Sequence, residues 1–200
     1  MEQQPAGKRP IALPVTLVLL VFSLVGNVFL YSQSLQNMQG NKFEAGERIF
    51  TAAAESRQYF EELVVQLDAL LASELLEKRA EIKYDAGKIS QKGRSVVLLA
   101  EEAQKLNGNG NSEAEIASAY IKNVDSSLQS IGNYEGPLND PDIVNLQALK
   151  QSASSLAGVM SGFNLKMKDN RTAIIRLASG AEWLDLMDEL QRLMSEQVSK

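Results

Sequence analysis

"LPVTLVLLVFSLVGNVFLY", Leu13 to Tyr31, contains no charged side chain, while Lys8 and Arg9 stand just before it and polar sequence follows it. A helix from Ile11 to Tyr31, rising about 1.5 Å per residue, is about 31 Å long, which matches the roughly 30 Å hydrocarbon core of a bilayer. A cleaved export signal usually has an apolar region of about 7–15 residues ending at a small-x-small site. This run is longer, and Ser32-Gln33-Ser34 is the nearest substitute for such a site. The amphipathic periodicity found further along the chain is also missing here. Length and flanks therefore favour a permanent anchor over a cleaved signal or a buried helix, with Ile11, Leu17, Leu20, Phe22, Leu24 and Phe29 facing lipid and Tyr31 in the aromatic belt. Pro14 falls in the first turn, where its missing N–H costs little.

Orientation follows from the basic residues. Lys8 and Arg9 crowd the leading tail, and the next basic residue is Lys42. The positive-inside bias then predicts a cytoplasmic tail over 1–10, a span over 11–31, a juxtamembrane stalk over 32–42 and an extracytoplasmic domain over 43–200. Taking Lys8 and Arg9 from the 20 Lys/Arg, and Glu2 from the 25 Asp/Glu, leaves a net charge of −6 beyond the span. Nucleic acids and anionic lipid surfaces call for basic patches, so neither is an expected partner of this acidic part.

Composition narrows the chemistry. There is no Cys and no His, so disulfides, thiolate sites and the commonest general base and metal ligand are all absent. The remaining acid–base candidates are carboxylates: Glu61-Glu62, Glu101-Glu102, and Asp185 with Asp188 and Glu189, which share one side of a helix. Without a glycine-containing calcium loop or a Glu-x-x-His element they read as solvated faces. Asn139, Asp140 and Asp142 resemble half a cation loop, but helix capping explains them. No catalytic, cofactor or metal residue is assigned, and no cofactor is expected.

Beyond the span every pattern is helical. Ile49, Ala53, Phe60, Leu63, Leu67, Leu70, Leu71 and Leu75 recur in helical steps, as do Ile82, Ala86, Ile89, Gly93, Val96, Leu99, Ala103 and Leu106. Gly87 and Gly93 each cost about 1 kcal/mol in a helix interior, so a boundary is expected near "YDAGK". "NGNGNS" reads as a loop, and the capping box Ser112-Glu113-Ala114-Glu115 starts a helix at Glu113 whose stripe is Ile116, Tyr120, Val124, Leu128 and Ile131. Asp140-Pro141 reads as an N-cap followed by proline at the first helical position. Leu146, Leu149, Ala153, Leu156, Met160, Phe163 and Met167 then form an a/d seam that wants helical partners. Its register continues through Ile174, Leu177, Ala181 and Leu184, either as one helix bent near "KDN" or as two. Ser154, Gly158 and Gly162, at intervals of four, predict close helix approach, and Trp183 reads as a core or interface anchor. No strand competes; "SVVLL", 95–99, sits inside a helical pattern. The expected fold is all-α: one N-terminal transmembrane helix and an extracytoplasmic antiparallel bundle of four to five helices.

The order of one span, a helical ectodomain, "YIKNVDSSLQSIGNYEGPL", a Leu-rich helix and "NRTAIIRLASGAEWLDLMDEL" resembles the N-terminal region of the YpeB-type spore germination proteins of endospore-forming bacteria. The resemblance implies an envelope protein that supports a cortex-lytic enzyme at the spore membrane. The PepSY repeats of that family have no counterpart in these 200 residues, and no site residue carries over. Two roles follow. One is a non-enzymatic scaffold that binds another envelope or membrane protein, or itself, through helices. The other is a sensor-type ligand-binding ectodomain acting through a partner membrane protein.

Overall fold

The structure, a computed structural model, describes residues 12–108 and 113–198. It is all-helical: α1 (Ala12–Leu71), α2 (Leu76–Asn107), α3 (Glu113–Ser130), α4 (Asp140–Ser161), a 3-10 turn (Leu165–Met167), α5 (Arg171–Leu177) and α6 (Leu184–Val198). No strand occurs among the described residues. The chain divides into two compact units between Asn41 and Lys42. α1 passes through Gly26 and Gly40 without a break, so the stalk expected over 32–42 is helix.

The second unit has its own core. α3 packs between α2 and α6, and α6 also packs against α4. The α1 stripe Ile49, Ala53, Phe60, Leu63, Leu67 and Leu70 is buried, as are the predicted α2 and α3 stripes except Leu106 and the half-buried Ile116. Ion pairs tie α1 to its neighbours, Lys92 to Glu62 at 2.7 Å and Lys150 to Asp68 at 2.5 Å. Their charged groups are partly exposed, so they fix register more than they add stability.

Two predicted boundaries move. The break expected near "YDAGK" falls instead at 72–75, where the Ser73 N–H and Oγ both donate to the Leu70 carbonyl and Leu75 turns extended and exposed. α2 then runs unbroken through both glycines. Gly93 lets it approach α3, since a Cβ there would stand 3.2 Å from Ile121 and 3.3 Å from Tyr59. The cap of α4 is Asn139 rather than Asp140; its side chain accepts the Asp142 N–H at 2.8 Å. α3 starts at Glu113 as expected, and Ser112 of its capping box lies outside the described residues.

The C-terminal third is neither one bent helix nor two. The Asn164 and Asn170 side chains accept the N–H groups of Lys166 and Ala173 and so start a 3-10 turn and then α5. Positive φ at Gly180 and Glu182 then turns the chain into α6. Short polar side chains that bond their own backbone end helices, and here they override an unbroken hydrophobic register. The small-residue face is also corrected. A Cβ at Gly158 would meet nothing within 4 Å and Ser154 is exposed, so only Gly162, 3.3 Å from a Leu186 methyl, is closely approached.

Tyr59 packs edge-on against Phe60, which in turn meets Tyr120. The Tyr59 hydroxyl is buried without a hydrogen-bond partner. Burial pushes its pKa up, helped by Tyr120 and Asp125, and burial raises Tyr120 to about 12. For both, the folded state holds a proton that the unfolded state releases above about pH 10. Their contribution is thus complete below that pH and is lost as pH rises through the folded values. Tyr59→Phe removes the unpaired hydroxyl and is expected to stabilise by about 1 kcal/mol at neutral pH. It also flattens the loss of stability between about pH 10 and 12. Urea unfolding at pH 7 and pH 11 checks both; a destabilised variant with an unchanged alkaline slope would contradict them.

Candidate functional site

The N-terminal part of α1 meets the requirements of a membrane-spanning helix. It contains a stretch long and apolar enough to cross a bilayer, and none of that stretch is buried. Leu17, Leu20, Phe22, Leu24, Phe29 and Tyr31 are all about two-thirds exposed, Phe22 the most at 70%. Ile11 lies outside the described residues. A contiguous apolar surface of this extent is costly in water and calls for a membrane or a protein partner.

The seam residues are used differently from what an interaction face requires. Leu146, Leu149, Leu156, Met160, Phe163 and Met167 are all buried in the chain's own core, together with Ala153, Ile174 and Leu177. Trp183 is buried beside them and donates its indole N–H to the Leu177 carbonyl at 2.9 Å. The helical partners that this a/d face wants are therefore supplied within the chain. Any docking surface must be sought elsewhere.

Four of the seven grouped carboxylates, Glu61, Glu62, Glu102 and Glu189, are engaged in ion pairs. Glu61 meets Arg57, Glu62 meets Lys92 and Gln58, and Glu102 meets Lys105 at 2.9 Å and Arg48 at 3.5 Å. Glu189 accepts from Arg192, whose hydrogen bond holds its pKa below the usual carboxylate range. Among the described residues no group of three His, Cys, Asp or Glu is arranged to hold a metal ion.

Two features escaped the sequence pattern. The first is a groove of about 970 Å³ in the second unit, lined by α1 residues between 44 and 55, by Ser95, Leu98 and Glu102 of α2, and by Lys168, Asp169 and Ile174. Phe50, Ala52, Ala54, Leu98 and Ile174 are its apolar lining residues; Ala52 and Ile174 are buried, whereas Leu98 is 41% exposed. Five carboxylates (Glu44, Glu47, Glu55, Glu102 and Asp169) stand around it against Arg48 and Lys168. Ser95 is buried and donates its hydroxyl to Glu55, fixing that side chain on the groove wall. The available signal was apolar residues just off the stripes, Phe50 beside Ile49 and Leu98 beside Leu99.

The second is Arg79, wholly buried in α2. Its Nε donates to the Gly132 carbonyl at 3.0 Å, its Nη1 to the carbonyls of Gly136 at 2.8 Å and Ser73 at 3.4 Å, and its Nη2 to that of Tyr134. Among the described residues no carboxylate pairs with it. Asp142 holds the same loop from its other side, accepting from the Gly132 N–H at 2.9 Å and the Tyr134 hydroxyl at 2.8 Å. Partial burial, then the Arg79 charge, lowers the pKa of nearby Lys83. These contacts build the α3–α4 connection.

No protein-family model matches the sequence, and neither a curated protein nor a solved structure matches it.

Proposed function

We propose that this chain is a non-enzymatic, single-pass membrane protein of a bacterial cell envelope. In this reading its N-terminus stays in the cytoplasm, and its second unit stands outside as an antiparallel helical bundle that serves as an interaction or scaffold module. The observation that carries the reading is the contrast within α1. Its N-terminal stretch exposes an uncharged apolar surface, whereas its later residues are consumed by a self-sufficient core. One helix thus has a part suited to lipid and a part suited to water. Lys8 and Arg9 before the apolar run support the orientation, and the resemblance to YpeB-type proteins supports a place in sporulation or germination.

The test is topology combined with extraction. A reporter that is active only after export, fused after Lys200, is expected to be active, and the intact chain is expected to stay with membranes through alkaline carbonate washing. Protease added to spheroplasts should degrade the second unit and leave a protected N-terminal fragment. An intracellular reporter signal, or a chain released by carbonate, overturns the reading.

A further inference from the structure

We propose that the groove between α1 and α2 receives an apolar helix flanked by lysine and arginine, presented by a partner polypeptide. The proposal rests on the reading of the second unit as an interaction module and names the chemistry of what it binds. From Glu44 to Glu55 the wall contributed by α1 is eleven steps long, or about 16 Å at the helical rise, which is three turns of a guest helix. Such a guest lays an i, i+3, i+4, i+7 face into an apolar trough, and Phe50, Ala54 and Leu98 provide one above the buried Ile174. Leu98 is the deciding residue. It sits on a helix with a complete buried stripe of its own, yet its side chain is left 41% exposed toward the groove.

Charge selects among occupants. The lining is acidic on balance: Glu44, Glu47, Glu55, Glu102 and Asp169 stand against Arg48 and Lys168, and Glu102 is the one already paired, with Lys105 and Arg48. A basic guest therefore meets complementary potential along the α1 edge, while an anionic lipid surface is repelled. A second copy of this chain, itself acidic at a net −5, would bring carboxylates to carboxylates. These edge charges set the encounter rate and the choice of partner, while the apolar lining supplies the contact area.

The test uses the full chain in nanodiscs of neutral phosphatidylcholine and two fluorescent helical peptides of about eleven residues. Both carry leucine at i, i+3, i+4 and i+7; one has lysine elsewhere and the other glutamate. The leucine–lysine probe is expected to saturate at one per chain and to bind at least about tenfold tighter than the leucine–glutamate probe. Leu98→Ala and Glu47→Lys should each weaken it by about tenfold, whereas Asp188→Lys, the same charge change as Glu47→Lys at an exposed position of α6, should not. In native membranes, a photo-crosslinker at position 98 should capture a basic, apolar segment of a different polypeptide. Equal binding of the two probes, equal loss in the Asp188→Lys variant, or capture of a second copy, of lipid or of nothing overturns the proposal. The exported reporter is run in the same strain. An intracellular signal overturns the module reading however the probes behave, and an extracellular signal without probe discrimination overturns the groove proposal alone.

Discussion

Gly46→Ala is expected to destabilise the second unit by about 3 kcal/mol, although it adds a single methyl group to a helix. Gly46 is buried on the α1 stripe, three residues before Ile49. A Cβ there would overlap the Ile174 carbonyl oxygen and stand 2.7 Å from the carbonyl carbon. The obstacle is backbone, which cannot rotate away as a side chain can, so α5 as a whole must move. α5 is only seven residues long and contributes Ile174 and Leu177 to the core, and its first residue, Arg171, lies over the Phe43 ring at 4.3 Å. Displacing it disturbs all three contacts. Gly158→Ala is the internal control: a Cβ at that position of α4 meets nothing within 4 Å, and replacing glycine in a helix interior should stabilise by about 0.5–1 kcal/mol. Thermal or urea unfolding of the full chain in nanodiscs separates the two. Shifts of the same sign and size would show that the α1–α5 approach does not limit stability.

The same pair shows where sequence stops being informative. Periodicity placed Ile49, Phe60, Val96, Tyr120 and Leu146 in the core because burial of one face in every 3.6 residues is a property of the helix alone. Gly46 lies in that register too, but nothing local reveals that the Ile174 backbone crosses it, since the contact joins residues 128 apart in sequence. Helix ends were legible where a loop announced them, as at Glu113. They were misplaced where glycine was given too much weight: Gly87 costs helix propensity, yet α2 continues because residues on both sides of it bury their stripe. The breaks after Ser161 and before Arg171 come from Asn164 and Asn170 capping their own backbones, which a hydrophobic register does not register. The groove was illegible for a related reason. Leu98 and Phe50 are ordinary off-stripe apolar residues, and only packing brings them to one surface.

Arg79→Met is expected to cost about 4 kcal/mol, among the largest losses available to a single substitution in this chain. Arg79 occupies the position three residues before Ile82, in register with the buried stripe that continues through Ala86, Ile89 and Gly93. An arginine in that register signals a buried guanidinium with carbonyl or carboxylate partners, and here the partners are carbonyls. Gly132, Tyr134 and Gly136 sit in a connection without helical hydrogen bonds of its own, so their carbonyls depend on donors from outside. The planar fork of arginine reaches three of them and Ser73 together. Methionine fills comparable volume but leaves those acceptors buried and unpaired. Lysine keeps the charge as a point donor without the fork, so Arg79→Lys should recover less than half of the loss. Gly132, at φ +66°, is closely approached by the same side chain: a Cβ there would lie 2.9 Å from both Arg79 and Leu138, so no larger residue fits beside the guanidinium. Tyr134→Phe removes the hydroxyl that donates to Asp142 and accepts from the Asn139 N–H at 2.7 Å, and should cost about 1 kcal/mol. Combined with Arg79→Met it should add almost nothing, because the loop it braces is already released. Hydrogen exchange reads this directly: the Gly132 and Asn139 amides lose protection in Arg79→Met at urea concentrations where the α1 amides from Phe60 to Leu70 keep theirs. Additive losses in the double variant, or loop amides that stay protected without the guanidinium, would show that Asp142 alone holds the α3–α4 connection.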